Sequence, residues 1–227
     1  MLGAYTFSKM FSDADSFASG TAAMNSFNLR LAKSLSADDQ THLLRFSLTD
    51  DLPFGKGRQF LNHGILSHLL GDWSLSGSAD YSSGVPLGIL TGVTLPIGGG
   101  ADLPFITSYT NWRAPYTGKF NPFGDLWWSP SAFNQQPSSI LTTTMGNSTV
   151  LNPKTRLPWN VNENVNLARA IVIREKVRVI FRAEAFNVLN RTVWAAPNTT
   201  LTSAAFGQVR AQSNIPRQMQ LVVKIYF

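Results

Sequence analysis

The feature that most constrains this chain is a period-two alternation of apolar and polar residues that recurs six times and runs to the last residue. In the final stretch, QMQLVVKIYF (218–227), Met219, Leu221, Val223, Ile225 and Phe227 share one face. Gln218, Gln220, Lys224 and Tyr226 share the other with Val222. A soluble domain often closes with a few frayed polar residues, because terminal backbone is easily left in water. Here the sequence closes on an aromatic residue that is still in register with the pattern.

The other five segments are bounded by Gly, Pro, Asn, Asp or Ser. The first is LGAYTFSK (2–9). In THLLRFSLTDDL (41–52), Leu44, Phe46 and Leu48 oppose Leu43, Arg45, Ser47 and Thr49. In DWSLSGSADYSSG (72–84), Trp73, Leu75, Gly77, Ala79 and Tyr81 alternate with Ser74, Ser76, Ser78, Asp80 and Ser82. VNENVNLARAIVI (161–173) sets Asn162, Asn164, Asn166 and Ala168 against Val161, Glu163, Val165 and Leu167. KVRVIFRAEAFNV (176–188) sets Val177, Val179, Phe181, Ala183 and Ala185 against Arg178, Ile180, Arg182, Glu184 and Phe186. Propensity also permits a helix over 176–188, but its charges fall at period two, which favours a strand.

The connections are unequal. Only Arg174 and Glu175 separate the fourth and fifth segments, which predicts a tight hairpin. Segments 10–40, 84–160 and 189–216 are long and rich in Gly, Pro, Ser, Thr and Asn, as in GVTLPIGGGADLP (92–104) and FNPFGDLWWSPSAFNQQPSS (120–139). Unstructured loops of this length count against a compact soluble domain. Alternating short and long connections fit an outer-membrane barrel, with short turns in the periplasm and long loops outside. Parity then places the 53–71 connection and the end of the last strand on the periplasmic side. A closed barrel has no free edge, so its last strand pairs with its first to the end.

Composition is compatible with this reading. Charged residues are 14% and hydrophobic residues 44% of 227, with 15 Phe, which argues against disorder. No apolar run approaches the ~18 residues of a spanning helix, which says nothing against spanning strands of about 9–11 residues. With no cysteine there is neither a disulfide framework nor a thiolate site. The start, MLGAYTFSKM, lacks the pattern of a secretory signal. Net charge is +6, but the 19 Lys and Arg are scattered, so nucleic acid is not an expected partner.

On the barrel reading, Val177, Val179, Phe181, Ala183 and Ala185 face lipid and Arg178, Arg182 and Glu184 face the lumen. An Arg facing lipid at the midplane would cost about 2–4 kcal/mol. Trp73, Tyr81 and Tyr226 lie near strand ends, where amphipathic rings suit the membrane interface. A β-sandwich would use the same apolar faces as its core.

Five runs carry a resemblance to a known family: YTFSK (5–9), HLLRFSLTDDLPFGKGRQF (42–60), LLGDWSLSGSADYSSGVPL (69–87), VNLARAIVIREKVRVIFRAEAFNVLNRTVW (165–194) and AAFGQVRAQSNIPRQMQLVVKIYF (204–227). In type and order these resemble TonB-dependent outer-membrane receptors, in particular those with a carboxypeptidase-regulatory-like N-terminal domain. The resemblance implies an all-β, antiparallel transmembrane barrel segment. Its six strands would be the last six of about 22, in the outer membrane of a Gram-negative bacterium. Signal peptide, plug and earlier strands would lie outside this sequence, and contact with TonB would run through the plug. It further implies that Phe227, with Ile225, Val223, Leu221 and Met219 before it, is the signal read by the barrel-assembly machinery.

Motifs for chemistry are few. His63 and His68 lie five apart without an acidic partner at metal-site spacing, and His42 stands alone, so surface or turn histidines are expected. FGKGR (54–58) lacks the phosphate-cradling pattern, and GGG (98–100) reads as loop. With no GxSxG elbow and no distinctive carboxylate pair, neither an enzyme nor a bound cofactor is expected. The loop aromatics Trp112, Tyr116, Trp127 and Trp128 either stack on an extracellular ligand such as a sugar or peptide, or pack the long loop on itself. A self-contained small β-protein, either a soluble sandwich that binds a ligand or a small barrel adhesin, is the alternative to a receptor segment.

Overall fold

The structure, a computed structural model, describes residues 1–13, 29–92, 103–107, 112–115, 117–133, 146–174 and 177–227. Its strands are β1 (Leu2–Phe7), β2 (Phe11–Ser12), β3 (Ser34–Leu35), β4 (His42–Asp51), β5 (Trp73–Ser82), β6 (Pro86–Leu87), β7 (Asn152–Arg156), β8 (Asn160–Arg174), β9 (Val177–Phe186) and β10 (Gln218–Tyr226). One short helix, α1 (Gly64–Leu70), lies between β4 and β5.

Six of these strands form one antiparallel sheet in the order β1-β4-β5-β8-β9-β10. They are the six segments predicted from alternation, each within two residues of its expected ends. Each strand lies beside the next of the six, as in a meander. The 176–188 segment is a strand, paired through Val165↔Ala185 to β8 and through Gln218↔Phe186 to β10. The intervening turn, 175–176, lies outside the described residues.

Because pairing is in register across all six strands, the alternation adds up to two continuous faces. One row of the polar face runs Ser47, Ser78, Asn164; the next runs Thr49, Ser76, Asn166, Glu184, Gln220. The opposite face carries Phe46, Leu48, Leu75, Val165, Leu167, Phe181, Ala183, Leu221, Val223 and Ile225. Among the described residues no second sheet covers that face, so these six strands do not form one layer of a sandwich. Leu221 is 85% exposed and Met219 75% exposed. Among the described residues the sheet is open as well: β1 and β10 each pair on one side only.

The long connections meet at one end of the sheet. Ile89, Ile106, Trp112, Trp127, Trp128, Phe133, Leu201, Phe206 and Val209 form the largest buried cluster, and every one of them lies in a loop. Short pairings tie the layer together: β2 with β3, β6 with β7, and bridges Leu90↔Thr200 and Arg113↔Trp128. At the other end, the 52–72 connection turns on Gly55, at φ +115°, where a Cβ would come within 2.6 Å of Gly71 Cα. That close approach and the positive φ explain FGKGR as a turn without invoking a phosphate site.

Candidate functional site

The polar face of the sheet is built from side chains that hydrogen-bond each other across strands. Asn166 donates to the Ser76 hydroxyl at 3.0 Å and Asn164 to Ser78 at 3.5 Å. Arg182 pairs with Glu184 at 3.2 Å, and Gln220 donates to the same carboxylate. Arg45 pairs with Asp80 at 3.2 Å. Arg178, Arg182 and Glu184, singled out as the charged wall, thus share the polar face, and Arg178 is exposed. Tyr226 falls on this face opposite Arg178, where its place in the alternation puts it, at the end of β10.

Alternation alone does not reveal how the apolar face handles its charges. Glu163, nearly buried, lies on that face near the loop end, where it receives the Tyr81 hydroxyl at 2.9 Å and Arg191 at 2.7 Å. Arg169 lies on the same face at the opposite end, with its guanidinium 5.9 Å from the Trp73 ring and a hydrogen bond to the His68 carbonyl. A charge on a face without water needs a partner. Both find one from a connecting segment distant in sequence, which a period-two count cannot see.

Aromatic rings gather at the loop end of the apolar face. His42 stacks on Tyr5 and Trp159, with centroids 6.2 and 5.9 Å away, and packs against Phe7 at 5.5 Å. The Tyr5 hydroxyl lies 2.9 Å from His42 Nδ1. His42 is therefore a member of an aromatic belt rather than an isolated surface residue. No group of three metal-ligating side chains occurs among the described residues.

The loop layer settles the role of most loop aromatics. Trp128 is fully buried, and Trp112 and Trp127 are 4% and 5% exposed. Trp112 meets Phe133 edge-on at 5.2 Å, and Trp127 meets Phe120 at 5.1 Å. These three pack the loops on themselves and present no free ring to a ligand. Tyr116 lies outside the described residues, as does GGG (98–100). The reason is area: an indole buried in a loop core removes more apolar surface from water than one left at a tip.

Two further loop devices carry no motif that the sequence reading singles out. Asp39, fully buried, accepts from Arg156 at 2.5 Å, from the Met10 amide at 2.7 Å and from Thr41 at 3.1 Å. Arg156 also donates to the Asp39 and Gly84 carbonyls. Burial pushes the Asp39 carboxyl up, but these donors and the guanidinium outweigh it and hold it below the usual carboxylate range. Asn187, with φ +48°, exchanges hydrogen bonds with Arg191 in both directions and donates to the Ile215 carbonyl. Its side chain pins the loop after β9 to the loop before β10. Positive φ favours Asn, the one signal FNVLN contained.

The exposed residues of β10 and Phe227 are where they were expected. Met219, Leu221, Val223 and Ile225 project from the apolar face, and Phe227, beyond the strand, is 99% exposed. Comparison with known proteins agrees with this geometry. The family model described as an outer membrane beta barrel domain matches residues 1–220. No curated protein and no solved structure matches the chain significantly. That match covers all but the last seven residues of the chain, and the chain belongs to the outer membrane β-barrel domain family.

Proposed function

We propose that this chain is the C-terminal part of a TonB-dependent receptor, forming six strands of a larger barrel and acting in energy-coupled uptake only within the whole. The observation that carries the reading is the open sheet, with β1 and β10 unpaired on their outer edges. In a bilayer those edges would leave backbone N–H and C=O groups without partners, which hydrocarbon does not tolerate. Further strands must complete the wall. Six strands are also too few, since such barrels start at about eight.

On this reading the loop layer faces the exterior and the 52–72 connection the periplasm. The polar face, with Arg178, Arg182 and Glu184, lines the lumen. Lipid covers the apolar face, a plug carries the contact with TonB, and the chain performs no covalent chemistry. Phe227 and the apolar row before it serve as the assembly signal. The reading gains support from the runs that resemble TonB-dependent receptors and from their order along nearly the whole chain.

The test is the coding DNA upstream of Met1, joined to an assembly assay. An open frame leading into a plug domain and a signal peptide is the expected result. A stop codon with a ribosome-binding site directly before Met1 counts against it. Phe227→Ala in the parent receptor should reduce heat-modifiable barrel in outer-membrane fractions, and unchanged assembly would remove the terminal residue from the signal.

A further inference from the structure

At the loop end of the polar face, a cavity of about 430 Å³ lies between the wall and the segment Asn214–Pro216. Asn160, Asn162 and Asn164 of β8, Phe186 of β9 and Gln218 of β10 form its wall side. No charged residue lines it, in a chain of net charge +6. Asp80, the charge opposite Asn162 in the strand register, is already paired with Arg45. The cavity therefore offers nothing to neutralise an ionic ligand.

Three of its amides stand apart from the internal hydrogen-bond network. Asn164 and Asn187 are committed, the first accepting the Asn187 N–H at 3.1 Å and the second tied to Arg191 and Ile215. The side chains of Asn160, Asn162 and Gln218 make no such bonds. Each amide presents a carbonyl and an NH₂ side by side, the donor–acceptor pair that two adjacent hydroxyl groups match. Between them Phe186, directly opposite Gln218 and 45% exposed, turns an aromatic ring toward the polar side of the sheet. A ring on an amide-lined wall suits a ligand with both C–H faces and hydroxyl edges.

We propose that this cavity binds an uncharged, polyhydroxylated ligand of the oligosaccharide class, with Phe186 as its platform and Asn160, Asn162 and Gln218 as its hydroxyl readers. An extended peptide is a weaker fit, because peptides are held by main-chain ladders at a sheet edge. These groups are side chains, and β8 and β9 are interior strands. The site also continues inward. Asn164 and Phe186 are shared with a second cavity of about 310 Å³ walled by Ser47, Thr49, Ser76, Ser78, Asn166 and Glu184, whose carboxylate is already paired with Arg182 and Gln220, so hydroxyls and amides run on from the loop end along the wall beside one neutralised charge.

As a substrate class this assignment rests on the uptake reading, but binding in micelles needs no energy coupling. The full chain, and any longer barrel whose wall it forms, is titrated in detergent with maltohexaose, xylohexaose and mannohexaose, with oligogalacturonate and hexaglycine as charged and peptide probes. Saturation-transfer NMR reads contact and calorimetry reads affinity. At least one neutral oligosaccharide should bind, and neither the acidic one nor the peptide. Asn162→Ala, the isosteric Asn162→Asp and Gln218→Ala should each weaken binding about tenfold, as expected where a hydrogen bond to the ligand is lost. Circular dichroism checks that each variant keeps its strands. The site is overturned if no neutral oligosaccharide binds, if oligogalacturonate or hexaglycine binds as well, or if all three variants bind like the parent. Glycan binding without TonB-dependent uptake would overturn the transport reading alone, whereas uptake without glycan binding would overturn this site alone.

Discussion

The wall and the loop layer of this molecule solve opposite problems with the same kinds of residue. In the wall, Phe181, Leu221 and Val223 stand bare on one face while the four inner strands have their backbone laddered on both sides. In the loops, Trp112, Trp127, Trp128, Phe133 and Phe206 are buried against each other, while the backbone follows turns and isolated bridges. Between its two edges the wall satisfies its backbone polar groups internally and leaves apolar burial to its surroundings. The loop layer buries its own apolar groups and meets its polar needs one side chain at a time, through Asp39, Arg156 and Asn187. A bilayer explains the difference, since it supplies apolar contact but no hydrogen bonds.

The comparison breaks most visibly if the wall does not need a membrane. The chain should be monodisperse only with detergent and should aggregate in plain buffer, as read by sedimentation velocity, because the bare face and two open edges associate. A soluble monomer in buffer would end the wall reading. Next in size is the loop core. Trp128→Ala should cost about 3–5 kcal/mol of loop-layer stability, seen as loss of near-ultraviolet dichroism and faster proteolysis in 84–160, with far-ultraviolet strand signal retained. If the strand signal fell in parallel, the two regions would be one cooperative unit.

Charge placement sharpens the contrast between the two faces. Phe181→Arg, on the apolar face, should lower stability in lipid vesicles by about 2–4 kcal/mol in a denaturant titration. Ser78→Arg, on the polar face, should change it far less, and equal effects would mean the faces are misassigned. The smallest effect concerns pH. Because the folded Asp39 carboxyl sits below its ordinary value, its contribution is fully present above that ordinary value and is lost as pH falls through the lowered one. Loop proteolysis should therefore accelerate in that acidic window in the parent, and Asp39→Asn should flatten the dependence.

Much of the wall is legible in the sequence. Alternation locates all six strands, and the Ser and Asn rows of 72–84 and 161–173 mark the polar face. Glu163 and Arg169 are not legible as apolar-face charges with partners, because Arg191 and His68 reach them from other connections. The loop aromatics are legible as a cluster but not as a core: whether Trp127 and Trp128 point outward or inward depends on residues 194–209 folding back over them.

By itself the sequence determined which residues share a face, since a side-chain period of two is a property of the extended backbone and requires no knowledge of the neighbours. It also set the order of strands, because short and long connections in alternation leave a meander as the simplest path. Only the tertiary structure decided what the long loops are, a packed layer held by Asp39–Arg156 and Asn187, and which polar side chains remain free at Asn160, Asn162 and Gln218. Those outcomes hang on contacts between segments far apart in the chain, and such contacts leave no local period to read.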